Sequence, residues 1–441
     1  MQTLPQIPDW VLLEHQVAQT LTQQEIHGWY FDERSARELE SALRREYEET
    51  TRLLRNRHPF IAGPLFTPKR NNRTQGYVEG TGRVYDHEHC GKIQTIEECS
   101  FTKLKELNPT SRDHISWILQ THYGWTPSSM TASGKAVIDE IVLKELGTDI
   151  ALSFLKLLDL TKKLGMISEG VNAWQKLCTK SRIHHHCSVA TQTFRCAHRN
   201  PNLAQVPSDE RFRRLFTATP GLTMCGADLS GIELRMLAHY LARWDEGRYR
   251  DVLLHGDIHQ ENADKIGISR KLVKTVTYAF LYGAGDIKIG HSYDKQLSQS
   301  KARAKGKEIR AAYVDAIPGL KELLEAIHKA SETRSPRAYV LGLDHRRILC
   351  DSRHKSLNYL LQGSAAIIAK RWMVLTHENL PKTARQLAFV HDELQFECKK
   401  EEVDDLKFLL ELSAVQAGEY YKMRCPVAAE SKHGGTWADV H

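Results

Sequence analysis

Apolar residues recur every three or four positions through the first part of the chain, and this spacing is typical of amphipathic helices. Residues 9–28 are predicted to form a helix that stops at Gly28, and residues 33–57 a second helix with a highly charged outer face. The same period predicts helices over Arg112–Thr121 and Thr148–Lys163. The N-terminal third is therefore predicted to be mainly helical.

The second half of the chain contains apolar runs that are typical of strands. Leu222–Ala227 is a short run that ends at Asp228, and Ala388–Cys398 carries strand-forming residues on both sides of a polar turn at residues 391–393. The second pattern predicts a tight hairpin. Helical segments, including Ser269–Tyr282, lie between the two strand regions. We therefore predict a mixed fold of helices and strands.

The composition narrows the class of protein. The chain has 441 residues, and its 61 Lys and Arg against 54 Asp and Glu leave a formal charge of +7, which permits a polyanionic partner without requiring one. A run of ~18 uncharged apolar residues is absent from the sequence, which argues against a membrane span. The N-terminus lacks the pattern of a signal peptide. We therefore expect a cytoplasmic protein of two or three subdomains with nine reduced cysteines.

Two acidic positions have the context of a metal site. Asp228 follows an apolar strand, and Asp392 and Glu393 are adjacent acids in the predicted hairpin turn. Carboxylates that lie side by side repel each other unless a cation such as Mg²⁺ offsets their charge. Each signal alone is weak, because a solvated aspartate or a polar turn would have the same sequence.

A stripe of cations and aromatic residues is predicted on the helix between the two strand regions. Arg270, Lys274, Tyr278 and Tyr282 recur at every fourth position, so they share one face of that helix. Two cations suit a triphosphate, and two aromatic rings suit a sugar and a base. His259 lies just upstream and could add a phosphate contact. The alternative is an exposed amphipathic face.

These segments occur in the order of known sequence motifs. Residues 228–235 resemble motif A of the family A DNA polymerases, residues 270–283 resemble motif B on the fingers helix, and residues 390–393 resemble motif C. Further segments resemble other parts of the same family: residues 193–195 with 201–207, residues 362–366 and residues 435–441. The details are similar to the replicative branch found in short-tailed phages, which would place the protein in the host cytoplasm.

The resemblance implies an α+β, right-hand polymerase fold with an antiparallel-sheet palm, helical fingers and a helical thumb. It implies these regions in chain order: thumb and N-terminal helices at 1–180, with a thumb insertion at 59–107; a first part of the palm at 181–244; fingers at 245–337; and a second part of the palm at 338–441.

The implied reaction is template-directed addition of dNTPs to a primer 3′-hydroxyl with two Mg²⁺ ions, for which Mn²⁺ can substitute. The implied partners are primer–template DNA and dNTPs, and the chain is expected to be a monomer. Asp228 and Asp392 are the implied catalytic residues. The implied metal site consists of Asp228, the carbonyl of Leu229, Asp392 and Glu393.

The resemblance also assigns substrate contacts. The residues expected to bind the dNTP are Arg270, Lys274, Tyr278, His259 and Glu233. Glu233 is expected under the sugar, where a hydrogen bond from the Tyr278 hydroxyl would close the space that a 2′-hydroxyl needs. The residues expected to contact template or primer are Tyr282, Arg195, Gln362 and His391.

The chain departs from the family pattern in two ways. It begins about where the polymerase region begins, so we expect it to lack a proofreading exonuclease domain. The glycine that usually precedes Arg195 is replaced by Phe194. Two other functions stay open at this point: a single-subunit RNA polymerase, which shares the palm motifs, and a catalytically inactive DNA-binding relative.

The thumb insertion allows two interpretations. It is either a site for a processivity factor, thioredoxin being the known case in the phage branch, or a solvated thumb tip that only touches DNA. The insertion holds ligand-type residues at His87, His89, Cys90 and Cys99, and a second group follows at 184–187. Their spacing is not that of a standard zinc finger, and neighbours in a strand alternate faces. We interpret both groups as structural or surface residues.

Overall fold

The computed structural model describes residues 7–66, 101–294, 297–332 and 337–441, without the side chains of 64–66 and 101–103. Two compact units are present, one made of residues up to 33 together with 177–441, the other of residues 34–176. These two boundaries differ from the predicted boundary at residue 180, and the predicted thumb, palm and fingers limits stay predictions.

The helices are, in chain order, α1 Asp9–His27, α2 Glu33–Arg57, α3 Arg112–Tyr123, α4 Glu140–Leu146, α5 Asp149–Leu164, α6 Trp174–Leu177, α7 Glu210–Arg213, α8 Ile232–Leu241, α9 Arg248–His255, α10 Ile258–Ile266, α11 Arg270–Leu281, α12 Asp286–Tyr293, α13 Gln299–Ala316, α14 Leu320–Glu332, α15 Ser356–Glu378, α16 Val403–Tyr420 and α17 Trp437–Val440. The strands are β1 Trp29–Phe31, β2 Phe60–Phe66, β3 Phe101–Glu106, β4 Cys178–Thr179, β5 Arg182–Ile183, β6 His186–Ser188, β7 Ala197–Arg199, β8 Phe216–Thr217, β9 Thr223–Leu229, β10 Tyr339–Leu341, β11 Arg347–Leu349, β12 Arg385–Val390, β13 Glu393–Cys398 and β14 Ala429–Gly434.

An antiparallel sheet in the order β12-β13-β9-β14 forms the centre of the larger unit. β9 and β13 are buried over most of their length because helices cover the sheet. Nearly every residue of α15 is buried, and its Trp372 donates a hydrogen bond to the carbonyl of Leu410 in α16 at 2.8 Å. The predicted hairpin at residues 391–393 is confirmed as the β12–β13 turn, and the combination of helices with an antiparallel sheet is confirmed.

The first helix packs on this same unit. α1 confirms the helix predicted over residues 9–28 and ends at Gly28, whose φ is +67°. Its Glu14 pairs with Lys370 of α15 at 2.7 Å, and Asp9 pairs with Arg371 at 2.9 Å. Lys370 is fully buried, and a buried ammonium is stable only when paired. These ion pairs therefore fix α1 against α15.

A second small sheet, in the order β4-β5-β1-β8, lies in the same unit. Trp29 on β1 packs against Phe216 on β8 with ring centroids 5.2 Å apart, and against Trp437 on α17 at 4.9 Å. Such aromatic packing buries large apolar areas. It holds the C-terminal helix α17 against this sheet.

The predicted fingers region is helical in its described residues. α12 and α13 approach so closely that a Cβ on Gly290 would overlap the carbonyl oxygen of Ala302, and one on Gly306 would overlap that of Asp286. Arg310 of α13 donates to Asp286 at 2.6 Å. Two glycines thus permit a backbone contact that any larger residue would block.

The smaller unit has its own apolar core, formed by residues of α2, α3, α4 and α5 together with Ile61 of β2 and Leu107, which follows β3. The strands β2 and β3 pair antiparallel at the two ends of the predicted insertion. Residues 67–100, including His87, His89, Cys90 and Cys99, lie outside the described residues. Among the helices that are described, none is long and apolar enough to cross a membrane.

Candidate active site

The two predicted catalytic aspartates are brought together by strand pairing. Asp228 lies near the end of β9, where its Cα partner is Glu393 at the start of β13. Asp392 lies in the β12–β13 turn, and its carbonyl accepts a hydrogen bond from the N–H of Leu229 at 3.0 Å. His391 takes the left-handed conformation, with φ of +59°, that this two-residue turn requires. We call Asp228 and Asp392 the carboxylate pair.

Negative charge accumulates at the carboxylate pair. Burial raises the pKa of Asp228 to about 7, and Asp392, Glu393 and Glu233 add to the shift by repulsion. Burial raises the pKa of Asp392 to about 6, followed by repulsion from Glu233. Water still reaches the Asp228 side chain, so the site is lined by protein but open. Open carboxylates with excess negative charge fit a hard divalent cation.

Glu393 is placed differently from its two neighbours. Its carboxylate accepts hydrogen bonds from Trp437 Nε1 at 2.6 Å, from Gln395 Nε2 at 2.6 Å and from His441 Nδ1 at 3.0 Å. Only 5% of Glu393 is exposed, and burial raises its pKa. Both carboxylate oxygens are therefore engaged, and Glu393 ties the C-terminal residues to the hairpin. The resemblance of residues 435–441 to the family does not predict these partners.

Glu233 connects two predicted substrate contacts. The side chain is near the start of α8, and its Oε1 accepts from Arg195 Nη2 at 2.5 Å and from the Tyr282 hydroxyl at 3.0 Å. The hydroxyl that contacts Glu233 here is that of Tyr282, and the hydrogen bond from Tyr278 stays a prediction. α11 ends at Leu281, and Tyr282 follows at the C-cap, from where its ring extends to α8.

The predicted nucleotide stripe lies on α10 and α11. The Ser269 side chain caps α11, and Arg270 at its first turn pairs with Asp257 at 2.7 Å. His259 is buried, and burial, then the charges of Arg270 and Lys274, lower its pKa. The rings of His259 and Tyr278 are 6.2 Å apart between centroids. The structure therefore brings these predicted dNTP contacts close together, with His259 buried and Lys274 exposed.

Two of the remaining predicted DNA contacts, Arg195 and His391, lie near Asp392 of the carboxylate pair. Burial, then the charges of Arg195 and His198, lower the pKa of His391, so these side chains are within electrostatic reach of one another. Phe194, which replaces the usual glycine, keeps a glycine-like φ of +60°. Gln362 lies half-buried on α15, where the described hydrogen bonds give it no role.

A family model, two phage relatives and a solved structure all compare this chain with DNA polymerases. The family model described as DNA polymerase family A matches residues 83–439. The DNA-directed DNA polymerase of Escherichia phage T7 is 31% identical, and that of Enterobacteria phage T3 is 29% identical. Each alignment covers 97% of this chain and 70% of the relative. The solved POL domain of Pol1 from M. smegmatis, in complex with DNA primer–template and dNTP, has a TM-score of 0.74 at 20% identity, covering 97% of this chain and 70% of that chain.

Proposed function

The chain belongs to DNA polymerase family A and is a DNA-directed DNA polymerase, and from this premise we propose that it extends a primer 3′-hydroxyl by a two-metal-ion mechanism at the carboxylate pair. The observation that carries the proposal is the placement of Asp228 and Asp392 at adjacent strand ends, both with raised pKa values. Family membership favours this activity over the single-subunit RNA polymerase and the inactive relative.

The carboxylate pair and the Leu229 carbonyl would hold the metal ions. Bound Mg²⁺ lowers the pKa of the attacking hydroxyl and stabilises the charge on the leaving pyrophosphate. Glu393 supports this site indirectly, because its hydrogen bonds to Trp437 and His441 fix the start of β13 next to Asp228. The chain itself thus contributes rigid positioning of two carboxylates, which is the main requirement of phosphoryl transfer.

We propose that the stripe on α11 binds the incoming dNTP. Arg270 and Lys274 would contact the triphosphate, and charge-assisted hydrogen bonds from such cations are the stronger kind. Arg270 would first have to leave Asp257, an exposed ion pair of the kind that contributes little. The lowered pKa of His259 keeps its imidazole neutral at pH 7, so one ring N–H can donate to a phosphate oxygen.

Glu233 is proposed to select the sugar and to control two DNA contacts. Its carboxylate now holds Arg195 and Tyr282, the residues proposed for the primer–template minor groove and the templating position. Tyr278 is within electrostatic reach of Glu233 and lies on the same side of α11 as Lys274. A bound nucleotide would therefore compete with Arg195 and Tyr282 for Glu233. Gln362 and His391 complete the proposed primer contacts.

The DNA and dNTP partners, the oligomeric state, the processivity factor and the lack of exonuclease activity are also proposals. The solved POL domain is described with DNA primer–template and dNTP, which supports the same partners here. We propose a monomer with a processivity-factor site in the insertion at residues 59–107. We also propose that this 441-residue chain has no 3′-exonuclease activity, because the polymerase family match spans most of it. Incubation of the purified chain with a labelled mismatched primer tests this, and Mg²⁺-dependent shortening would contradict it.

Single-turnover primer extension tests the mechanism. We expect Asp228→Asn and Asp392→Asn to lower the rate at least about a thousandfold, equivalent to roughly 4 kcal/mol at the transition state. Primer–template affinity should change little, because it comes from phosphate contacts elsewhere.

Glu430→Gln is the matched control. Glu430 faces Asp228 across the β9–β14 pair and contributes least among the nearby acids to raising its pKa, but it is exposed on an edge strand. We expect it to extend primers at nearly the wild-type rate. Extension by either aspartate variant at more than a tenth of the wild-type rate would contradict the assignment, and so would an equal loss in Glu430→Gln.

A further inference from the structure

A hairpin next to the proposed primer contacts gathers histidines and cysteines on one face. β6 and β7 pair antiparallel, with Cys187 directly opposite His198. His185 lies two residues before Cys187, and Cys196 lies two residues before His198. Directly opposite residues and those two apart along a strand share a face of a hairpin. We call residues 185–198 the His–Cys hairpin.

The side chains on this face are close together and buried. One ligand atom each from His185, Cys187 and His198 lies within 4.8 Å of the other two. Cys187 Sγ is 3.3 Å from His198 Nδ1, and the Cys196 thiol hydrogen-bonds to Cys187. The exposed fraction is 0% for His185, 9% for Cys187, 4% for Cys196 and 6% for His198, so all four residues are buried. Within the described parts of the chain, this is the one group of three ligand-type residues so close together.

Two buried nitrogen atoms at this group have no hydrogen-bond partner in the described part of the chain. Among the described residues, His185 Nδ1 and His198 Nε2 find no hydrogen bond. The other His185 nitrogen contacts Gln24 Nε2 at 3.0 Å, and Gln24 Nε2 also reaches Cys187 Sγ at 3.4 Å. Buried imidazole nitrogens that lack a partner cost free energy in a metal-free protein. These two nitrogens are not the ones nearest Cys187, however: His198 presents Nδ1 to Cys187 Sγ and His185 presents Nε2 to Gln24 beside it, so an ion at this group would coordinate those two nitrogens.

Strand alternation separates these residues from their sequence neighbours. His186 Nδ1 contacts Glu25 Oε2 at 2.8 Å, and His184 Nδ1 contacts the Glu25 carbonyl at 2.8 Å. Both lie on the opposite face of the hairpin. As strand alternation predicts, the four consecutive residues 184–187 do not form one cluster. His185 and Cys187 instead share a face with Cys196 and His198 from the other side of the hairpin.

We propose that this face of the hairpin binds a structural zinc ion through four ligands: His185, Cys187, Cys196 and His198. Two imidazoles and two thiolates form one of the common closed zinc sites. The two thiolate charges balance the ion, so the buried complex is neutral. Thiolates also select zinc over Mg²⁺, which prefers oxygen ligands. Ligands of a tetrahedral zinc ion lie roughly 3.3–3.8 Å apart, so the side chains would draw in by roughly 1 Å.

The ion would hold the loop that carries Arg195. Phe194 and Arg195 lie between the two strands of the hairpin, directly before Cys196. Arg195 reaches Glu233 at 2.5 Å, so a fixed hairpin would fix this contact. The proposed role is positional, and the ligands of this site are nitrogen and sulfur atoms, in contrast to the oxygen ligands of the carboxylate pair.

Metal analysis of the full chain tests the proposal. The chain is expressed untagged in zinc-supplemented medium and dialysed against EDTA, which removes ions held by carboxylates alone. We expect about one zinc per chain by mass spectrometry of the metal. X-ray absorption at the zinc edge should give two sulfur neighbours at roughly 2.3 Å and two nitrogen neighbours at roughly 2.0–2.1 Å.

Variants localise the ion. Cys187→Ser and Cys196→Ser should lose nearly all zinc. His186→Asn, on the opposite face of the same hairpin, and Asp392→Asn, in the carboxylate pair, should keep it. Cys90→Ser should also keep it, because that cysteine belongs to the separate group in the insertion. If the cysteine variants do not fold, Co²⁺ added to zinc-stripped wild-type chain should give the absorption of tetrahedral thiolate-bound cobalt.

Three results would overturn the proposal. The first is a wild-type chain with no zinc after expression in zinc. The second is zinc that is kept by Cys187→Ser but lost by Cys90→Ser or Asp392→Asn. The third is zinc with only oxygen and nitrogen neighbours.

Discussion

The carboxylate pair and the His–Cys hairpin are two candidate metal sites, both built on antiparallel strands, and they differ in ligand chemistry and access. The pair offers oxygen ligands, and water reaches Asp228. The hairpin offers nitrogen and sulfur ligands, and His185 is fully buried. The pair consists of two carboxylates with raised pKa values, whereas the hairpin holds three ligand-type side chains close together, and Cys196 is proposed to be the fourth ligand.

The difference separates two uses of a metal ion. An open site with incomplete protein coordination leaves positions for substrate oxygens, as catalysis requires. A closed site with complete coordination cannot bind substrate, and its ion contributes to folding instead. The two sites are linked through Arg195, which leaves the His–Cys hairpin and pairs with Glu233 near the carboxylate pair. Because of this link, the comparison can be tested by removing the metal ion and by mutating Arg195 and Glu233.

The largest expected effect is on stability when zinc is removed. A ligand that binds only the folded state at a free concentration of ~1,000 times its Kd stabilises that state by about 4 kcal/mol. We therefore expect zinc-stripped chain to unfold several degrees lower than zinc-bound chain in a thermal melt. Mg²⁺ should shift the melt far less, because the open carboxylate pair binds it weakly. Equal shifts by the two metals would remove the distinction between the sites.

The second effect concerns the link itself. Arg195 and Glu233 have 17% and 14% of their side chains exposed, and a hydrogen bond to a charged group in such a site contributes roughly 1.5–3 kcal/mol. A double-mutant cycle of Arg195→Ala and Glu233→Ala, measured by urea unfolding, should give a coupling of that size. The control cycle is Glu210 with Arg214, an exposed pair that should couple by roughly 0.3–0.5 kcal/mol. Similar couplings for both pairs would mean that the hairpin is not held through Glu233.

The same comparison explains how much the sequence could predict. The strand that precedes each aspartate was predictable because an apolar run is a local signal, but the meeting of Asp228 and Asp392 was implied only by the resemblance to the family motifs. The stripe from Arg270 to Tyr278 was predictable because residues four apart share a helix face, and the structure confirms helix over these positions.

The rest depends on pairings between distant residues. The Cys187–His198 pairing is set by hairpin register, which the sequence did not indicate. Gln24 reaches the same group from α1, 161 positions away from His185. The choice of Tyr282 over Tyr278 as the partner of Glu233 depends on where α11 ends. Each of these outcomes needs tertiary geometry that local patterns do not contain.

A smaller effect should appear in the pH dependence of the carboxylate pair. Asp228 binds its proton more tightly in the folded chain, with a pKa of about 7 against an ordinary value of 3.8. The folded state therefore loses stability as pH rises through that window, and the penalty is complete above pH ~7. In EDTA, Asp228→Asn should raise the free energy of unfolding by about 1 kcal/mol at pH 8, discounted because water reaches the side chain.

The gain should be smaller at pH 5.5, where Asp228 is already largely protonated, and it should shrink when saturating Mg²⁺ offsets the charge. Urea unfolding at the two pH values gives the comparison. A gain that is larger at pH 5.5, or that Mg²⁺ leaves unchanged, would show that Asp228 is not under electrostatic strain.

The smallest expected effect is at Phe194, in the loop of the His–Cys hairpin. Its φ of +60° costs a non-glycine residue roughly 1–2 kcal/mol, which Phe194→Gly would recover. The ring, however, lies under Arg346 with 5.0 Å from the guanidinium carbon to the centroid, and Lys370 is 5.8 Å away. Such contacts with buried cations contribute roughly 0.5–2 kcal/mol, in addition to the apolar area that the ring covers. The two contributions oppose each other, so the net change should be within about 1 kcal/mol.

Phe194→Leu keeps the backbone cost and loses the ring, so it should be the less stable variant in urea unfolding. If Phe194→Gly proves less stable than Phe194→Leu, the apolar contacts of a side chain at this position outweigh the cost of the left-handed backbone.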